Sequence, residues 1–99
     1  MAKRKKVWAI HPGEMLRTEF LEPMKITAYR LAKDLGSPGI YEVIRGERSI
    51  SAETALRLGK YFGMSAQFWM NLQAEYDLRV ASAGARLERV KPRRTKTAA

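Results

Sequence analysis

Apolar side chains recur at helical spacing from residue 11 to residue 80, and no stretch alternates apolar with polar as a half-buried strand would. Met15, Leu16 and Phe20 open the series behind His11-Pro12-Gly13-Glu14. Proline suits the first helical position, where its missing N–H would have no partner, and Glu14 complements the positive end of the helix. Pro23 is expected to stop this helix after about ten residues. Thr27 is the next N-cap; Leu31, Ala32 and Leu35 then form an apolar stripe, and Gly36 supplies a left-handed cap. A short third helix is expected within 37–45, carrying Ile40, Val43 and Ile44, with Gly46-Glu47-Arg48 breaking it and Ile50 leading into the next element. Ser51 caps a fourth helix with Ala55, Leu58 and Phe62 on one face, and Gly63 closes it. Ser65 caps a fifth, whose buried side is marked by Phe68, Trp69, Leu72 and Tyr76. The pattern predicts an all-α fold of five short helices, with a helix-turn-helix domain over 11–80.

Helices two and three carry the function-bearing pattern. A helix-turn-helix needs a small residue in its first helix so that the second can cross closely, a glycine at the turn, and branched apolar residues to seat the second helix. Ala32, Gly36, Ile40 and Val43 have those types in that order. The spacing departs from the pattern. Seating residues usually follow the small residue by about ten and about thirteen positions, whereas Ile40 and Val43 follow Ala32 by eight and eleven. The recognition helix or its turn is therefore two residues short, where base-reading side chains usually enter the major groove. Pro38-Gly39 offers little hydrogen-bonding chemistry to a base edge.

Charge changes the picture by its location. Of 19 basic and 10 acidic residues, Lys3, Arg4, Lys5 and Lys6 lie in the first ten positions, and six basic and one acidic lie from 81 onward. That leaves nine of each in 7–80, so the domain is balanced and the net charge of +9 resides in two tails. Residues 1–10 read as a basic arm with Val7, Trp8 and Ile10 able to dock, and 81–99 as a basic, flexible tail. Such tails either keep a small protein soluble or draw in phosphates by counterion release. The chain has no cysteine and one histidine, which excludes a disulfide framework, a thiol nucleophile and a cluster of histidine metal ligands. No Gly-rich phosphate loop and no nucleophile–base pair is present, so no enzyme activity, metal or cofactor is expected. His11 reads as a helix-start residue, and Glu14, Glu19 and Glu22 as a solvent-facing stripe. No apolar run long enough for a secretory signal or membrane span follows the basic N-terminus, and a cytoplasmic location is expected.

Beyond the turn pattern, a longer series of short motifs is specific. His11-Pro12-Gly13-Glu14-Met15-Leu16, Tyr29-Arg30-Leu31-Ala32, Ile44-Arg45-Gly46-Glu47-Arg48-Ser49-Ile50-Ser51, Thr54-Ala55-Leu56-Arg57-Leu58 and Phe68-Trp69-Met70-Asn71-Leu72-Gln73 with Tyr76-Asp77-Leu78 follow in order. Over roughly 9–80 the chain resembles the HigA family of antitoxins, built on the XRE-type, Cro/repressor-like helix-turn-helix. The family carries a longer stretch between the glycines corresponding to Gly36 and Gly46 than the nine residues found here. The resemblance implies a homodimer that binds operator DNA as an autorepressor and neutralises a RelE-like, mRNA-cleaving toxin, HigB. Two alternatives remain at this level: a protein-interaction module with a weak reading head, and a stand-alone transcriptional regulator.

The candidate DNA-contacting set is Thr27, Arg30, Ser37, Tyr41, Glu42, Arg45 and Arg48. Tyr41 suits a phosphate or a thymine methyl and Glu42 suits cytosine N4, or both belong to an ordinary exposed helix face. Arg45 and Arg48 flank the Gly46 bend, and Arg30 lies on helix two; each suits a phosphate or is a solvated or ion-paired surface charge. Trp69 is expected in the core or a dimer contact, and Asn71 and Gln73 as caps for neighbouring helix ends.

Overall fold

His11 starts the first helix by accepting a hydrogen bond from the Gly13 amide on its Nδ1 at 2.9 Å, with Pro12 in the first turn. The computed structural model describes residues 9–93. Lys3, Arg4, Lys5, Lys6, Val7 and Trp8 of the expected arm, and Arg94 and Lys96 of the expected tail, lie outside them. We label five helices among the described residues. The first, α1, runs as Pro12–Leu16, a π-helical turn Arg17–Leu21, and a last turn Glu22–Met24. The second, α2, is Ala28–Leu35 and the third, α3, is Ile40–Ile44. Then come α4, Ala52–Phe62, and α5, Ala66–Gly84, with a single 3-10 turn at Leu87–Arg89 beyond.

The caps form where their residue types demand them. Thr27, Ser51 and Ser65 each accept a backbone N–H in the first turn of α2, α4 and α5. Gly36 ends α2 at φ +66°, and the amides of Gly36 and Ser37 return to the carbonyls of Lys33 and Ala32.

In three places the chain departs from the expected boundaries. Pro23 does not stop α1: the π-helical turn, closed by the Glu22 amide on the Arg17 carbonyl, precedes it, and the helix ends in a left-handed Lys25 at φ +57°. The turn before α3 takes Ser37, Pro38 and Gly39, so the helix is five residues long. And α5 runs past Val80 to Gly84 because Ala81, Ser82 and Ala83 extend a helix readily.

One core joins all five helices through Leu16, Leu21, Leu31, Leu35, Ile40, Val43, Ile50, Ala55, Leu58 and Trp69. Trp69 is fully buried, its ring 5.1 Å from those of Phe20 and Phe68, which makes it a core residue. Its indole N–H has no partner among the described residues. Burying roughly 200 Å² of ring contributes about 5 kcal/mol, more than the roughly 1–3 kcal/mol lost at an unmade hydrogen bond.

The position of α3 is set from both sides. Ile40 and Val43 plant it in the core, and α1 crosses it at Gly13, where a Cβ would fall 1.7 Å from the Val43 carbonyl oxygen. Only glycine permits that approach. After α3, the buried Ile50 amide donates to Gln73 Oε1 on α5 at 2.8 Å. Gln73 Nε2 in turn donates to Asp77 Oδ1 at 2.9 Å, so one side chain pins the loop leaving α3.

Candidate nucleic-acid interface

The unit α2–turn–α3 presents its outer side to solvent, while Leu31, Ala32, Leu35, Ile40 and Val43 hold its inner side. Ala32 is the small residue that lets α3 cross α2, and Gly36 turns the chain between them. On α4, Arg57 braces the turn: its Nη1 donates to the Leu35 carbonyl at 2.6 Å and its Nη2 to Glu53 at 2.7 Å. In the sequence this role is marked by no more than the four-residue spacing of Glu53 and Arg57.

The seven candidate residues fall into three groups. Thr27 and Arg30 sit at the start of α2, where the Thr27 hydroxyl caps the Arg30 amide at 3.0 Å. Arg30 Nε also donates to Asp34 at 3.1 Å, and Asp34 accepts from the Tyr61 hydroxyl at 2.7 Å. The Tyr61 hydroxyl, above all, holds the Asp34 carboxyl below its ordinary pKa, with Arg30 adding to the effect. Ser37 is half-buried in the turn, and Tyr41 packs half-buried against the core.

The third group is Glu42 on α3 with Arg45 and Arg48 at the bend after it. Arg45 pairs with Glu47, Nε to Oε1 at 3.2 Å, and that hydrogen bond raises its already high pKa. Arg48 reaches back along α3: its Nε donates to Glu42 Oε1 at 2.8 Å, and its Nη2 lies 2.7 Å from the same oxygen. Its guanidinium carbon lies 3.6 Å from where a Gly39 Cβ would stand. Glu42 and Arg48, separate candidates in the sequence, thus form one pair at the start of α3. The Glu42 oxygen that was expected to meet a cytosine amine is occupied by Arg48. Across α2, α3 and the bend, Arg30, Arg45 and Arg48 all have carboxylate partners, which leaves the reading face close to neutral.

Among the described residues no group of three His, Cys, Asp or Glu side chains is placed to hold a metal ion. No described helix is long and apolar enough to cross a membrane.

Two helices joined at a glycine-capped turn, with the second seated in the core and crossed by α1, define a helix-turn-helix protein of the repressor type. No family model matches the chain. It is 56% identical over 75 residues to virulence-associated protein I of Dichelobacter nodosus, covering 74% of this chain and 69% of that protein. The Pseudomonas aeruginosa antitoxin HigA, solved with the higBA promoter, is 53% identical with a TM-score of 0.73, covering 75% of this chain and 83% of that one. Antitoxin GraA, solved in complex with its operator, is 34% identical with a TM-score of 0.79 over 98% of this chain and 100% of that one. The chain belongs to the HigA family of antitoxins with an XRE-like helix-turn-helix. Both of these solved relatives are antitoxins.

Proposed function

We propose that this chain is the antitoxin of a type II toxin–antitoxin pair, binding its own operator as an autorepressor and neutralising a HigB-like toxin by protein–protein contact. It acts by stoichiometric binding in the cytoplasm and is not an enzyme. The observation that carries the reading is the match, over 98% of this chain, to an antitoxin solved on its operator. As a homodimer it sets two α3 helices about one turn of DNA apart, roughly 34–36 Å, on a palindromic site.

In this reading Thr27, Arg30, Ser37 and Arg45 meet phosphates, while Tyr41, Glu42 and Arg48 form the surface offered to the groove. The ion-paired, near-neutral reading face leaves long-range attraction to the arm over 1–10 and the tail over 81–99. Arg86, Arg89, Lys91 and Arg93 of the tail are exposed. Removing the four basic residues of the arm lowers the salt slope of binding by up to about 0.9 for each phosphate they neutralise.

The short α3 with its paired charges favours a second reading, a toxin-binding module that reads DNA weakly. Co-expression of the chain with the product of the adjacent reading frame tests the antitoxin role. The expected results are a co-purifying complex and rescue of growth arrested by that product; failure of both removes it. A reporter fused to the chain's own upstream promoter separates the two readings: repression supports the autorepressor, and unchanged expression with an intact toxin complex supports the second.

A further inference from the structure

The start of a recognition helix is where base edges are usually read, and here that start carries almost no side-chain chemistry of its own. Pro38 has no amide hydrogen, Gly39 has no side chain, and Ile40 is buried in the core. The space left beside Gly39 is filled from elsewhere in the chain. The Arg48 guanidinium comes back from the loop after α3 and lies over Gly39, its carbon and Nη1 both 3.6 Å from the missing Cβ position.

Glu42 holds it there by one edge only. Nε and Nη2 converge on a single carboxylate oxygen, at 2.8 and 2.7 Å. That leaves the outer Nη1–Nη2 edge of the guanidinium without a partner among the described residues, and the side chain is 60% exposed. An exposed ion pair of this kind contributes little to stability. Its effect is orientation: a long side chain that would otherwise sample many rotamers is held in one place, pointing one way. The open edge is a pair of parallel N–H donors, the geometry that matches the O6 and N7 acceptors of guanine in the major groove.

We infer that Arg48 is the base-reading residue of this protein, that it reads a guanine in each operator half-site, and that Glu42 is the positioning residue that aims it. The inference rests on the operator-binding reading above and assigns its specificity. A borrowed arginine from the following loop replaces the first-turn side chains that the shortened α3 lacks. Glu42 itself makes no base contact in this arrangement, which reverses its expected role as an acceptor from cytosine.

The test measures affinity for a duplex of the promoter DNA directly upstream of the reading frame, and for the same duplex with each half-site guanine replaced by 7-deazaguanine. The replacement removes N7 and leaves base pairing intact. Wild type is expected to lose about tenfold at one guanine per half-site, within the range for a bidentate contact. Arg48→Gln is expected to bind the unmodified duplex about tenfold more weakly and to be indifferent to the replacement. Glu42→Gln is expected to lose several-fold on the unmodified duplex while keeping or gaining affinity for a scrambled one, since it removes a negative charge near the phosphates. The double variant should be no worse than Arg48→Gln alone, because Glu42 acts only through Arg48.

Thermal unfolding of the variants should match that of wild type, which separates aiming from folding. If wild type binds the promoter specifically but is indifferent to every 7-deazaguanine, or if Arg48→Gln weakens promoter and scrambled duplexes equally, the arginine is a phosphate contact and the inference fails alone. If wild type does not prefer the promoter to the scrambled duplex, the operator reading fails and takes this inference with it.

Discussion

Replacing Gln73 by Met keeps the reach and bulk of the side chain and removes its polar atoms. Gln73 is 4% exposed, and its Oε1 is the acceptor for the Ile50 amide at 2.8 Å; Ile50 itself is 2% exposed, so water cannot take over. The two groups that Gln73 Nε2 reaches, Asp77 at 2.9 Å and Ser49 at 3.4 Å, belong to exposed residues that can turn to solvent. The loss is therefore concentrated on one buried N–H, which costs about 1–3 kcal/mol when left unmade. For a domain of this size each kcal/mol lowers the melting temperature by about 4–8 °C. A loss of about 2 kcal/mol corresponds to about 8–16 °C. Urea titration should show a lower midpoint with an unchanged slope, since the area exposed on unfolding is the same. Ser49→Ala, which removes only the 3.4 Å contact, should stay within about 0.5 kcal/mol of the parent. A Gln73→Met protein that melts within about 2 °C of the parent would refute the claim that this side chain pins the loop leaving α3.

Other outcomes follow from single contacts. Gly13→Ala puts a Cβ 1.7 Å from the Val43 carbonyl oxygen, a backbone atom that no rotamer change can move. It should cost at least about 3 kcal/mol by urea unfolding, and a parent-like midpoint would contradict the observed crossing of α1 and α3. Lys25→Gly relieves a left-handed lysine and should raise stability by about 0.5–1 kcal/mol; a decrease would show that the Lys25 side chain is needed there. His11 caps α1 through an unprotonated Nδ1, and its pKa is lowered, chiefly by burial, with Asp77 opposing. The unfolded chain then takes up the proton first, so the contribution is complete above about pH 6.5 and is lost as pH falls from there through the lower folded value. Melting temperature should decline over that window in the parent and less in His11→Asn, which caps without titrating; equal slopes would exclude His11 as the cause.

How far the sequence could be read depended on the range of the interaction. Thr27, Ser51 and Ser65 cap helices because one hydroxyl meets an amide two or three residues on, and Gly36 turns the chain through its own φ. Those signals are local, and the five-helix fold followed from them. Pro23 misled because a π-helical turn just upstream absorbed it, and no local signal marks such a turn. The continuation of α5 to Gly84 has no clear local mark, because a run of small residues resembles an ending although alanine favours helix. In the candidate site, the shortage in α3 was visible as a spacing. What fills it was not, because Arg48 reaches Gly39 across a bend whose path depends on Gly46, Gln73 and the α1 crossing together.

The proposed function requires that this protein recognise its own operator by sequence. The most direct measurement is the ratio of its affinities for the upstream promoter duplex and a scrambled duplex of equal length, taken at one fixed physiological salt concentration. The predicted ratio is about 10³ or more, and it survives removal of the basic tails while both absolute affinities fall. A ratio near one, with binding that disappears when the tails are removed or salt is raised, would contradict it.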